Sequence, residues 1–464
     1  MAGIFDRLTR SAALCAAVAL GSIAGAPGAR ADGLREAMAE AYANSPVLDQ
    51  QRYLLRIEDE GVAQAVAQLR PTLSFVANAD RDLVNDTTTS TASLVAEWVL
   101  YSGGSRRLAL EAAQATVRAA REGLVSVEQQ VLLDAVRAYL SVWSDLQVVN
   151  VREANVRVVT QQLRAARDRF EVGEDTRTDV AQAEARLAQA RSALAAARGQ
   201  LEISRELFAL AIGRYPGSLA GPGALPGLPR SEAEADALAR QNTPGILRLQ
   251  FEVQATDLSV ERARAAYRPT ISLDGAVSNT FESPQFGREG ESASIGLTLR
   301  QPIYRGGQLA SLERQALAQS AAVRASLNQQ TRIAIQTMGN AWAQLRIANA
   351  QIQAADQQIS AAELAFEGVR EEASLGARTT LDVLDAEQDV LDARISRIEA
   401  QANLYLAAYS ILSAGGLLTV RHLDLDVPGY DPSVYYDLVD DAPTSVPSVQ
   451  GQRLDSVLGR IGRD

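Results

Sequence analysis

VGEDTRTDVAQAEARLAQAR (172–191) and LGARTTLDVLDAEQDVLDAR (375–394) are two writings of one passage. Each opens on a glycine turn and runs on in helical composition. The second copy carries Asp382, Asp385, Asp389 and Asp392 at spacings of three, four and three. Wound at about 100° per residue, Leu381, Leu384, Gln388, Leu391, Ile395 and Ile398 fall on one seam. Val383, Ala386, Val390 and Ala393 fall on a second, well over a quarter-turn away. The first copy keeps that second seam as Val180, Ala183, Leu187, Ala190, Leu194 and Leu201. One seam gives a helix one partner; two seams give it neighbours on both sides, which is how helices tile a hollow cylinder. The aspartates occupy a face left over by the seams. That face looks either into a bore, where a ring of acids would favour cations, or outward as an ordinary solvated stripe. The first-half equivalents are Asp179, Gln182, Arg186 and Gln189, so only the leading position is acidic in both copies.

The duplication extends outward from this passage. EAMAEAYANSPVLDQQ (36–51) resembles EADALARQNTPGILRL (234–249), and LRPTLS (69–74) matches YRPTIS (267–272), both offset by 198 residues. YSGG (101–104) matches YRGG (304–307) at an offset of 203, the same as the opening pair. The extra residues fall in the polar stretches DRDLVNDTTTST and SNTFESPQFGREGES, which are expected as surface loops. Two repeats follow, residues 32–230 and 231–420, with a tail over 421–464.

Each repeat has the same order of elements. Two segments per repeat alternate in the two-residue period of a strand: TLSFVANA and SLVAEWVLY, then TISLDGAV and ASIGLTLRQPIY. Pro302 marks the end of regular pairing. Gly-Gly then releases the chain into a helix expected over 105–170 and again over 309–373, about 100 Å long at ~1.5 Å per residue. Half-length helices are expected over 178–212, 232–267, 379–414 and 34–69. The expectation is that 178–212 and 232–267 stack end to end through RYPGSLAGPGALPGLPR (214–230), and that 379–414 stacks on 34–69.

Bulk properties narrow the function. A net charge of −11 argues against nucleic acid as a partner. Arg7 and Arg10, an apolar run from Ala12 to Ala26 and the small-x-small site Ala29-Arg30-Ala31 read as a secretory signal over 1–31, with the mature chain starting at Asp32. The one cysteine, Cys15, lies in the signal and lacks the leucine of a lipobox, Ala12 standing in its place, so neither lipidation nor a disulfide is expected. No later segment approaches the ~20 apolar residues of a membrane-spanning helix, so entry into a membrane would be as β-strands. Four strands cannot close a barrel, and open edges are not tolerated in lipid. Two chains would give eight strands and a filled interior; three give twelve and room for a conduit. The expected fold is mainly α with a β part: a long α-helical barrel plus four transmembrane strands per chain, closed as a trimer.

Trp98, Tyr101 and Tyr304 lie near strand ends and fit the aromatic belt of a bilayer interface, with packing at the strand–helix junction as the alternative. Trp143 and Trp342 read as inter-helix packing. His422 is the one histidine, so neither a metal cluster nor a nucleophile–base pair can be assembled. No phosphate-binding glycine loop is present. The chain is read as no enzyme, with no cofactor.

Together these features resemble the TolC family of Gram-negative outer-membrane export channels, from about Gly33 to Leu418. The resemblance rests on the duplication, on the RP-strand-strand-Y-x-G-G unit of each half, and most specifically on LGARTTLDVLDAEQDVLDAR. It implies a trimer with a twelve-stranded barrel in the outer membrane and a helical barrel across the periplasm, closed at its tip. By motif, Asp382 and Asp385 match the aspartates ringing the aperture, with Asp389 and Asp392 continuing the stripe. Arg378 matches an arginine linking neighbouring coils, and Thr178 and Asp179 match its acceptors. The family's tip tyrosine falls at Ala373, so one restraining hydrogen bond is absent. The implied function is a passive exit duct served by a periplasmic membrane-fusion adaptor and an inner-membrane ABC or proton-driven transporter. The expected cargo is protein (type I secretion), with multidrug efflux as the alternative and a periplasmic coiled-coil scaffold as a remote one, against which the strands argue. The proline-containing acidic tail from about Arg421 is expected as an extra periplasmic or disordered segment.

Overall fold

The computed structural model describes residues 33–84, 86–174, 176–283 and 289–443. The signal sequence and Cys15 lie outside them. The order is α1 (Leu34–Asn44), α2 (Pro46–Ala67), β1 (Thr72–Asp82), β2 (Thr87–Tyr101), α3 (Ser105–Glu171), α4 (Arg177–Ile212), α5 (Glu232–Asn242), α6 (Pro244–Ala265), β3 (Thr270–Ser283), β4 (Glu289–Arg300), α7 (Gln308–Ser374), α8 (Thr380–Ala414), α9 (Val420–Leu423) and α10 (Ser433–Val439). The two long helices, α3 and α7, have 67 residues each, about 100 Å.

Both long helices start where a Gly-Gly pair takes the left-handed conformation. Gly103 and Gly104 have φ of 65° and 91°, Gly306 and Gly307 of 58° and 84°. A side chain at Gly103 would also strike the carbonyl of Ala265 at 2.7 Å, so this turn requires glycine.

The half-helices depart from expectation in two ways. Residues 34–69 and 232–267 are not continuous helices: each breaks before a proline. Ser45 and Thr243 are pushed to extended ψ values of 112° and 120°, because a residue preceding proline is disfavoured in the helical region. Pro46 and Pro244 then restart the helix at its first position, where no N–H is needed, and Ser45 Oγ accepts from the N–H of Leu48 at 3.3 Å. The end-to-end pairing is also exchanged. The end of α4 meets α1: Asn44 Nδ2 donates to the Ile212 carbonyl at 3.5 Å, and Arg214 pairs with Glu40 at 2.7 Å. The end of α8 meets α5: Thr243 Oγ1 donates to the Ala414 carbonyl at 3.0 Å. The linker after Ile212 carries the chain across α3 instead of straight on, pinned by Tyr139 Oη donating to the Ala220 carbonyl at 2.7 Å.

The result is four columns. On its strand-proximal half α3 packs between α2 and α6; on its distal half it packs between α4 and α8. α7 packs on α5, α6 and α8. The two seams of α8 are thereby used: Leu384 and Leu391 of one, and Val383, Val390 and Ala393 of the other, are buried. The main core gathers where the half-helices meet, around Tyr139, Phe208, Leu132 and Leu418.

The strands form one antiparallel sheet in the order β1-β2-β3-β4. They have 11, 15, 14 and 12 residues, against the ~9–11 that cross a bilayer. The register aligns Phe75, Leu94, Val277 and Ala293 on one face, with Leu73, Ala96, Gly275 and Ile295 beside them. Ser74, Val95, Ala276 and Ser294 align on the other. Leu73, Phe75, Ile295 and Leu297 are exposed in the single chain. The polar stretches expected as loops are largely strand: Asp80–Asp82, Thr87–Thr91 and 278–283 extend the ladders. Threonine suits a strand as well as an apolar residue does, but a polar run leaves no alternation to read.

The described part of the tail, to residue 443, climbs α2. Tyr435 Oη donates to Glu60 Oε1 at 2.8 Å, Val439 is buried against Ala63, and Arg70 Nη1 donates to the Ala442 carbonyl at 2.7 Å.

Candidate functional site

The distal tip is made by two helical hairpins, α3/α4 and α7/α8. Their turns contain Gly173 and Gly376, with φ of 84° and 77°. Each returning helix is then capped the same way. Asp179 Oδ2 accepts from the N–H of Thr176 at 3.0 Å and from its hydroxyl at 2.6 Å, while Thr176 Oγ1 accepts from the N–H of Asp179 at 3.3 Å. Asp382 does the same with Thr379, at 2.9, 2.9 and 3.2 Å. These are reciprocal capping boxes. They account for the one acidic position common to both copies.

The caps set the charge state. Asp179 is held below the usual carboxylate range by the Thr176 hydroxyl and N–H, with the Arg169 guanidinium adding to them. Asp382 is held down first by the N–H of Thr379, then by its hydroxyl and by the charge of Arg378. Asp382 is half-buried, and Asp385, Asp389 and Asp392 are exposed. Asp385 pairs with Arg186 of α4. Asp392 accepts from Gln388 at 2.9 Å. The acid row of one hairpin thus meets an arginine from the corresponding row of the other.

Within a single chain the expected link from Arg378 to Thr178 and Asp179 is not made. Arg378 Nε pairs with Glu372 at 2.8 Å across its own turn, Asp179 serves its cap, and Thr178 is exposed. Glu372 lies in the last turn of α7, on the same hairpin, and captures the guanidinium locally. Three contacts that the motif did not indicate join the hairpins instead. Arg169 Nη2 donates to Thr380 Oγ1 at 2.8 Å; Arg186 pairs with Asp385; and Asn155 Nδ2 donates to Glu387 Oε1 at 3.0 Å. Beneath them Val159, Leu163, Ala166, Ala183, Leu187 and Leu384 form an apolar cluster drawn from α3, α4 and α8. Glu387 is buried, and burial pushes its carboxyl up to about 7, against the pull of Asn155.

At the other end, Trp98 lies on the apolar face of the sheet and donates from Nε1 to the Leu69 carbonyl at 3.2 Å. Tyr101 and Tyr304 are exposed. Trp143 is buried and Trp342 packs beside Met338 and Ala235. Among the described residues no group of His, Cys, Asp and Glu could hold a metal ion, and no helix is long and apolar enough to cross a membrane.

Comparison with known proteins agrees with this architecture. The model of the family described as outer membrane efflux protein matches residues 37–214 and 237–417, the two repeats. The outer membrane efflux protein BepC of Brucella suis biovar 1 (strain 1330) is 36% identical over 434 residues, covering 92% of this chain and 95% of that protein. The proteases secretion protein PrtF of Dickeya chrysanthemi is 28% identical, covering 62% of this chain and 65% of that one. The crystal structure of the outer membrane protein VceC from Vibrio cholerae shares the fold with a TM-score of 0.73 at 20% identity, covering 82% of this chain and 96% of that one. With both repeats matched, the chain belongs to the outer membrane efflux protein family: it is an outer-membrane channel protein whose helical part stands in the periplasm.

Proposed function

We propose that three copies of this chain close into one exit duct, a twelve-stranded barrel in the outer membrane continued by a helical barrel. The observation that carries this reading is the sheet. It has one apolar and one polar face, strands long enough to cross a bilayer, and free edges at β1 and β4. Unpaired edges cost several kcal/mol per group in lipid, and sister copies are the economical way to remove them. The duct is passive: cargo reaches it through a periplasmic adaptor from an inner-membrane transporter that supplies the energy.

The tip is the gate in this reading. Asp382 and Asp385 ring the aperture, and the Arg186–Asp385, Arg169–Thr380 and Asn155–Glu387 contacts hold the α7/α8 hairpin against α3/α4. Docking of an adaptor would shift the population toward parted hairpins. Arg378, Thr178 and Asp179 are left to act between neighbouring chains. Protein export by a type I system is supported by the likeness to PrtF. Small-molecule efflux is the second reading, favoured by the higher identity to BepC.

Outer-membrane extracts should yield heat-modifiable trimers that conduct in planar bilayers. Release of the protein by a salt wash, as a monomer, would overturn the duct. Co-purification of an ABC transporter supports protein export, and that of a proton-driven pump supports efflux.

A further inference from the structure

Where strands meet helices, a cavity of about 710 Å³ opens between the starts of α3 and α7, with α6 as its floor. Arg106, Arg262, Arg268, Arg300 and Arg305 line it, and no aspartate or glutamate does. None of the five enters an ion pair among the described residues. Two are held by backbone oxygens: Arg106 donates to the Gln68 carbonyl, and Arg268 to the Gly103 carbonyl at 2.9 Å. Arg262, Arg300 and Arg305 are exposed. In a chain of net charge −11, five guanidiniums without a carboxylate among them are a concentrated exception. The helices add to the field. α3 and α7 both begin here with no acidic residue in the first turn and no side-chain cap. The positive ends of two long helix dipoles therefore face a cationic cavity, an arrangement that repels itself unless an anion sits in it.

The cavity lies on the bore side. Arg300 pairs in register with Thr270 and shares the face of Ser294 and Thr298, opposite the apolar residues that would meet lipid. The nearest carboxylates on that face are those of Asp274 and Glu97, further along the strands. Asp274 is already engaged by Ser272 and Thr298 at 3.1 and 3.2 Å.

We propose that these arginines, repeated in each of three chains, form a cationic collar at the throat between helical and β-barrels, which binds multivalent anions: carboxylate- or phosphate-rich segments of the cargo passing through. The duct then has two charge filters in series, an acidic tip that favours cations and a basic throat that favours anions. This rests on the trimeric duct reading. Guanidinium suits the task because its planar fork binds carboxylate and phosphate in pairs of hydrogen bonds.

The test uses the purified full-length protein in bilayers of neutral phosphatidylcholine, with poly-L-glutamate added on the barrel side. The wild type should be blocked at low salt, and block should weaken as salt is raised. The variant Arg262→Gln/Arg300→Gln/Arg305→Gln should need about tenfold more polyanion for half block, whereas Lys at the same three positions should retain most of the block. Arg106 and Arg268 are left untouched because they brace the backbone. Conducting channels that poly-L-glutamate does not block, or blocks equally in the Gln variant, overturn the collar. Block that is lost when phosphatidylglycerol is included assigns the arginines to lipid headgroups and also overturns it. Protein that forms no conducting channel at all refutes the duct itself, a separate outcome. If the triple variant does not assemble, Arg300→Gln alone is read the same way, with a proportionately smaller shift.

Discussion

The two long helices are copies of one another, equal in length and similarly begun and ended, yet their surroundings differ. α3 has neighbours on both flanks along its whole length and buries residues from Ala115 to Ala166. α7 buries Ala334, Ala341, Ala348 and Ala355, one small residue every seven, against its single flank. Beside that stripe Leu312, Ile333 and Ile347 also recur at multiples of seven and are exposed. A heptad apolar stripe specifies a packed partner. α3 finds its second partner within the chain because α2 and α4 fold back onto it. α7 comes last among the long helices, and among the described residues no later element reaches its free flank. The same template therefore makes a core helix once and an edge helix once, and in the proposed trimer a sister copy completes the edge helix.

The largest effect should come from breaking that edge. Ile333→Asp/Ile347→Asp should abolish trimers in outer-membrane extracts while the single chain keeps its helical circular dichroism, because the buried alanine stripe is untouched. A trimer of normal heat stability would show that this flank faces solvent. The matching break in α3 acts on the chain itself. Tyr139 is fully buried and its hydroxyl holds the linker, so Tyr139→Ala should cost about 3–5 kcal/mol and lower the melting temperature of the chain before assembly is measured.

The tip contrasts with these helices in how far sequence could be read. The long helices were legible to within a residue or two, because no proline interrupts them and glycine marks both ends. The strands were legible where they alternated and not where threonine and aspartate continued them. The breaks at Ser45-Pro46 and Thr243-Pro244 were written in the sequence as a capping residue before proline, a signal that the helical periodicity on either side outweighed. The exchanged stacking of the half-helices was not legible, since a linker rich in glycine and proline can run straight on or cross over with equal local cost. Asp382 could have been read as a cap from Thr-x-x-Asp, present in both repeats. Glu387 could not: its burial depends on α3 lying against α8, which no local pattern states.

The acid row sharpens the comparison between hairpins. In the proposed duct Asp385→Ala removes a charge from the aperture and frees Arg186, so it should raise single-channel conductance and weaken block by multivalent cations. Asp179→Ala removes the cap of the partner hairpin and its proposed link between chains but leaves the Asp382–Asp392 row intact, so it should leave cation block unchanged. Equal effects from both would take the row out of the pore.

Glu387 predicts a pH dependence. Its carboxyl is raised from 4.5 to about 7 in the folded chain. An acid raised by burial is favourable when protonated, so its penalty is absent below 4.5, grows as pH rises, and is complete above about 7. The charges near it are Glu363, Glu367, Arg370 and Arg394 around the adjoining cavity, with Arg394 already paired to Glu363 at 2.6 Å. The closed tip should therefore loosen as pH rises from about 4.5 to about 7, by on the order of 3 kcal/mol at most. Glu387→Gln should keep the hydrogen bond to Asn155 and flatten the dependence of open probability between pH 5 and 8. A Gln variant with the wild-type profile would place the titration elsewhere.

The smallest expected effect tests α2 against its copy α6. Gln250 and Gln254 stand in α6 where α2 has Arg52 and Arg56, and only α2 carries the tail. Arg52 lies over the rings of Tyr42 and Tyr430 at 5.2 and 5.1 Å, and Arg56 over Tyr53 and Tyr435 at 5.1 and 5.2 Å. The arginines are thus tied to where the tail tyrosines land. Tyr435→Phe keeps the ring over Arg56 and loses the hydrogen bond to Glu60, about 0.5–1.5 kcal/mol. Tyr435→Ala loses the stacking as well, about a further 0.5–2 kcal/mol. Both should speed tryptic cleavage at Arg421, the Ala variant more, with assembly unchanged. If Arg56→Gln, which makes α2 resemble α6 at this position, loosens the tail no more than Tyr435→Phe does, then the hydrogen bond and not the cation over the ring is what fastens it.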